Sequence, residues 1–84
     1  MTPVSLAPTV LIRAARGSDG RALDRLAALD SARVPAGALL VAEADGALVA
    51  AHAPATGATI ADPFRPTAQV VELLELRGSL LQAA

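Results

Sequence analysis

The chain has 84 residues, which gives room for one domain built around one core. It is 54% hydrophobic, but 21 of its residues are alanine, so most of the buried area must come from Leu, Val, Ile and Phe64. The net charge of −1, the single aromatic residue and the absence of cysteine argue against nucleic-acid binding, attraction to anionic membranes, disulfides and thiolate metal sites.

Residues 1–8 contain two prolines and are expected to form an extended or disordered lead-in to a single domain over residues 9–84. This start has no cation before its apolar stretch, which argues against a signal peptide. The longest uncharged apolar run, residues 36–42, is too short to span a bilayer. A cytoplasmic location is therefore expected.

Residues 9–14 are β-branched and aliphatic, and they predict a first strand that ends before Gly17. Ser18 then has the side chain of a helix N-cap. Leucines and alanines recur at helical spacing from Asp19 to Asp30, with charged residues on the opposite side. This pattern predicts one amphipathic helix whose charged face meets solvent.

Two apolar runs, residues 38–44 and 47–51, flank Asp45-Gly46. Because both central residues of a type I′ turn need positive φ, this dipeptide predicts a β-hairpin. After a second turn, residues 58–62 predict another strand of an antiparallel meander.

Thr67 is the predicted N-cap of a second helix, from Ala68 to about Arg77. Gly78 is either its C-cap or an internal residue, if the tail SLLQAA continues the helix. The apolar surface of this helix is wider than one stripe against a sheet requires.

The predicted order is strand, helix, three strands, helix. This order is typical of an α+β domain with helices packed on a mostly antiparallel sheet of about four strands.

The segments VLIRAA, GSDGRALDRLAALD and ALLVAEADGALVAA resemble the opening of the GNAT acetyltransferase superfamily, over about residues 9–77. The resemblance implies the N-terminal half of a GNAT-like fold. In that superfamily a glycine-rich loop holds acetyl-CoA, whereas residues 64–69 here read FRPTAQ, with no glycine and with Pro66 removing a backbone donor. We therefore expect no cofactor and no catalytic residues. The alternative is a residual acyl-CoA-binding or N-acetyltransferase-like domain.

Few side chains suggest chemistry. His52 has no visible partner for a metal site or a catalytic triad and is expected at the surface or in a turn. Glu43, Asp45 and Asp62 lie at predicted strand ends, where two carboxylates could act as a paired acid and base, but we expect them to be solvated. Arg65 and Thr67 could bind an anion at the start of the second helix, or Thr67 could simply cap it.

The wide apolar helix and a sheet edge left unpaired by the missing fifth strand both predict association. We expect a non-enzymatic interaction module that forms a homodimer, or alternatively a subunit that docks on an unrelated protein. The candidate interface residues are Val70, Val71, Leu74 and Leu81.

Overall fold

A computed structural model describes residues 9–83, so the predicted lead-in over residues 1–8 lies outside the described part. The fold is α+β, with one four-stranded sheet in which every neighbouring pair of strands is antiparallel. The predicted fold class and element order are confirmed. The elements are β1 (Val10–Ala14), a 3₁₀ turn (Gly17–Asp19), α1 (Gly20–Leu29), β2 (Leu40–Ala44), β3 (Ala47–His52), β4 (Thr59–Ala61) and α2 (Ala68–Ala83).

The hairpin between β2 and β3 has the predicted turn. Asp45 and Gly46 both have positive φ, at 52° and 86°, as a type I′ turn requires. The register shifts beyond the turn, because Glu43 pairs with Leu48 while Ala42 pairs with Ala50. One extra residue, Val49, therefore lies in β3 as a bulge. The strand is buried on both faces.

The two helices cover opposite faces of the sheet. Leu23 and Leu26 of α1 pack in a cluster with Val41 and Ile60, whereas Leu74 of α2 packs in a second cluster of buried residues. That second cluster contains Ala42, Ala44, Val49 and Ala50. Because successive residues of a strand point to opposite faces, β2 and β3 supply apolar side chains to both helices.

The start of α1 differs from the prediction. Ser18 is not its N-cap, because it lies inside the 3₁₀ turn and the helix begins at Gly20. Asp19 is the N-cap residue of α1, and its side chain makes no capping hydrogen bond to that helix. Its Oδ2 instead accepts the backbone N–H of Arg16, at the start of the 3₁₀ turn, at 2.6 Å.

The second helix continues through Gly78, so this glycine is internal and not a C-cap. Gly78 is buried against His52, and a Cβ at this position would lie 2.6 Å from the His52 Nε2. The prediction that His52 lies at the surface is wrong: the residue is only 5% exposed, and its Nδ1 lies 2.8 Å from the Thr59 Oγ1. The absence of a side chain at Gly78 lets α2 approach the sheet over the imidazole.

Phe64, expected to contribute to the core, is 79% exposed. It lies in the turn between β4 and α2, where its N–H donates to the Asp62 Oδ1 at 2.8 Å. The prolines on both sides keep this segment out of either regular element, so the ring does not reach either core cluster.

Candidate functional site

The outer side of α2 carries a row of exposed leucines. Leu73, Leu76 and Leu80 are 48%, 57% and 62% exposed. A leucine side chain stabilises a protein most when it is removed from water, so these three positions are unusual for a surface. Their spacing of three and then four residues places them on one side of the helix, as at the a and d positions of a heptad. We call these three residues the leucine seam.

Opposite charges flank the leucine seam. Glu72 precedes Leu73, at the g position of this heptad, and Arg77 follows Leu76, at the e position. Both residues are exposed, and neither forms an ion pair within residues 9–83. The seam is thus an apolar strip with an acidic border on one side and a basic border on the other.

The predicted interface residues divide between the core and the surface. Leu74 is completely buried, and Val70 and Val71 are half-buried against the same cluster, because these residues form the side of α2 that faces the sheet. Leu81 is 58% exposed. The residues that remain available for contact on α2 are therefore mainly the leucine seam, which the set of candidates did not contain.

The outer edge of β4 is partly covered. The Asp30 Oδ2, at the end of α1, accepts the N–H of Ala61 at 3.1 Å. Ala53 N donates to Ala58 O, and Asp62 N donates to Val49 O. Because hydrogen-bonded and non-bonded pairs alternate along an antiparallel ladder, the pair of Ala61 and Ala50 is non-bonded, and the Ala61 N–H points away from β3. The edge that was expected to be unpaired beside β4 thus has one of its outward donors satisfied by a side chain.

Arg65 and Thr67, the candidate anion-binding residues, line a small cleft of about 50 Å³. Val10, Ala44, Val49, Pro66 and Val70 complete its lining, so the cleft is largely apolar. The Thr67 carbonyl accepts the N–H of Val71 at 2.8 Å, which places Thr67 directly before the first turn of α2. The structure brings Arg65 and Thr67 together, but it adds no further polar side chain that would bind an anion.

A charged cluster that the sequence did not reveal joins three elements. The Arg13 guanidinium contacts the Glu43 Oε2 at 2.7 Å, and it binds both Asp19 oxygens, at 2.8 and 2.9 Å. The hydrogen bonds from Arg13, and then that from the Arg16 N–H, hold the pKa of Asp19 well below its usual range. The two carboxylates raise the pKa of Arg13 above its ordinary value.

This cluster is fully paired, so we assign it to folding and not to ligand binding. Asp19 is 8% exposed. Arg13 lies opposite Val41 and Glu43 lies opposite Leu11, so Arg13 and Glu43 are diagonal neighbours on one face of the sheet. Glu43 is therefore half-buried and paired, not solvated, and Asp62 is also buried. Spacing along the chain could not show the cluster, because its members lie up to 30 residues apart.

Within residues 9–83, no group of three or more His, Cys, Asp or Glu side chains could hold a metal ion. None of the helices in this part of the chain is long and apolar enough to cross a membrane. No family model matches the chain, and neither a curated protein nor a solved structure matches it. The resemblance to the GNAT superfamily accordingly stays a prediction.

Proposed function

We propose that this chain is a self-associating interaction module in which the leucine seam of α2 pairs with the seam of a second copy. The observation that carries the proposal is the exposure of Leu73, Leu76 and Leu80 at heptad spacing. On an ordinary surface helix the outward positions are mostly polar. Exposed apolar side chains that lie together on one side of a helix are typical of an interaction surface. Pairing two seams would bury these leucines as alternating layers of knobs and holes.

The charges beside the seam favour a second copy in parallel orientation. In a parallel pair of helices, a g position lies beside the e position of the following heptad of the partner. Glu72 of each copy would then lie beside Arg77 of the other, so both borders of the interface are complementary. A two-fold axis would relate the two copies, so the ion pair between Glu72 and Arg77 would form twice. The leucine seam and its borders are therefore complementary to the same surface of a second copy.

The proposed function is therefore self-assembly, without a catalytic activity. The GNAT-like resemblance supports the same proposal, since FRPTAQ replaces the glycine-rich loop at residues 64–69. The acyl-CoA-binding alternative predicts a thermal shift and heat of binding with millimolar acetyl-CoA. Our proposal predicts neither, and a shift that disappears in an Arg65→Ala variant would favour the alternative.

The test is the molar mass in solution over about a hundredfold range of concentration, measured by light scattering or sedimentation. We expect the wild type to associate as its concentration rises. Leu76→Glu places a charge at the centre of the seam and should abolish this contact. Since Leu76 is 57% exposed, its replacement should change the stability of the monomer by less than about 0.5 kcal/mol.

A charge exchange tests the orientation. Glu72→Arg and Arg77→Glu should each weaken association, by about fivefold if each of the two exposed pairs contributes about 0.5 kcal/mol. The double variant restores opposite charges and should associate like the wild type. Single variants that weaken association without recovery in the double variant would exclude the parallel arrangement.

A further inference from the structure

We infer that the outer edge of β1 is a second self-association site, at which β1 pairs antiparallel with β1 of another copy, centred on Ile12. This inference builds on the proposed self-association but uses different residues from the leucine seam. It would extend the four-stranded sheet across two molecules. The chemical partner is thus a second copy of the same strand.

The ladder between β1 and β2 shows which backbone groups of β1 are not bonded to β2. Asp45 N donates to Thr9 O at 3.0 Å, and Ala15 N donates to Leu39 O at 2.9 Å. In an antiparallel pair the hydrogen-bonded positions alternate, so the odd-numbered residues of β1 bond to β2. The N–H and C=O groups of Val10, Ile12 and Ala14 therefore point away from the sheet.

Most of these outward groups have no partner in the described part of the chain. The exception is the Ala14 carbonyl, which accepts the Arg13 Nη1 at 3.1 Å and keeps its second lone pair. By contrast, the three-residue strand β4 has one outward donor covered by Asp30. Covering an edge with a charged side chain is a common protection against strand pairing, and no side chain of residues 9–83 hydrogen-bonds to the outward groups of Val10 or Ile12.

The strand is complementary to itself in one register. Pairing Ile12 with Ile12 of a second copy places Val10 opposite Ala14, and at each of these positions the two strands exchange both N–H···O bonds. On the α2 face the contact is entirely apolar. On the α1 face Leu11, 52% exposed, meets the stem of Arg13, whose charge is already neutralised by Asp19 and Glu43.

Residue-resolved amide hydrogen exchange tests this contact directly. At low concentration the Ile12 N–H should exchange fast, while Leu11 and Arg13, bonded to β2, exchange slowly. At high concentration Ile12 should slow by at least about tenfold, because its N–H becomes a bonded ladder group. Ile12 exchange that is fast at both concentrations, or slow at both because the same chain covers the edge, would overturn the inference.

Two variants separate this contact from the leucine seam. Val10→Pro removes an outward donor at the first position of an edge strand, where proline is tolerated. It should leave only assembly through α2, whereas Leu76→Glu should leave a dimer formed through β1, and the double variant should be monomeric. If Val10→Pro reaches the same molar mass as the wild type, the β1 contact is refuted. An unchanged mass of Leu76→Glu would instead refute the leucine seam.

Discussion

The two helices of this domain pack on the same sheet from opposite sides and use their leucines differently. The shorter helix α1 turns Leu23 and Leu26 into the core and keeps charged residues on its outer face. The longer helix α2 buries only one of its leucines, Leu74, and exposes the others. The sheet thus buries the main leucines of α1, while α2 carries more apolar surface than residues 9–83 cover.

The largest expected effect comes from truncating the buried leucine of either helix. Leu26→Ala and Leu74→Ala should each lower the free energy of unfolding by about 3 kcal/mol, because both side chains are at most 1% exposed and the cavity cannot fully collapse. Urea unfolding of dilute protein measures the effect without a contribution from association.

Leu76→Ala is the matched control on α2, since it removes the same atoms from the exposed side. It should change the stability of the dilute protein by less than about 0.5 kcal/mol. If Leu76→Ala proved as destabilising as Leu74→Ala at low concentration, the proposed division of α2 into a core side and a contact side would be wrong.

A smaller effect is expected at the glycine on which the packing of α2 depends. Replacing a helical glycine by alanine normally stabilises a helix by up to about 1 kcal/mol. Gly78→Ala should instead destabilise the fold by about 1–2 kcal/mol, because the new Cβ would lie 2.6 Å from the His52 Nε2. Thermal unfolding would show the sign.

The control is Gly20→Ala in α1, where an added Cβ meets nothing within 4 Å, and this variant should be stabilised. Combining Gly78→Ala with His52→Ala removes the obstructing ring, so the alanine should then cost less than it does in the wild type. A Gly78→Ala variant as stable as the wild type would show that the imidazole can move aside.

The fold was largely predictable because its signals are local. The Asp45-Gly46 turn and the helical spacing of Leu23 and Leu26 each specify an element within a few residues. The burial of His52 was not predictable, because it depends on Gly78, which lies far along the chain. The end of α2 was not predictable for the same reason, because only the packing of the helix shows that Gly78 is internal and not a C-cap.

The candidate site was predictable only in outline. The composition of α2 indicated an excess of apolar surface, but the side that remains exposed depends on how the helix lies on β2 and β3. Leu74 and Leu76 therefore look equivalent in the sequence, although one is buried and the other is exposed. The protection of β4 by Asp30 likewise joins residues 31 positions apart, which no local pattern can show.

The smallest effect on stability near neutral pH is expected just before α1, where the Arg13 guanidinium binds the Asp19 carboxylate. Because the folded pKa of Asp19 lies below its ordinary value, the carboxylate contributes stability above the unfolded pKa of about 3.9 and loses it as the pH falls further. Asp19→Asn should therefore lower the melting temperature at pH 6, and the difference from the wild type should shrink steadily below about pH 4.

Asp24→Asn is the matched control, because Asp24 is an exposed carboxylate of α1 without an ion pair among residues 9–83. Its difference from the wild type should stay small at every pH. A constant Asp19→Asn deficit between pH 6 and pH 2 would mean that the asparagine disturbs packing and not charge. The stability of this segment would then depend on the shape of the side chain at position 19, and the ion pair between Arg13 and Asp19 would contribute little to the stability of the fold.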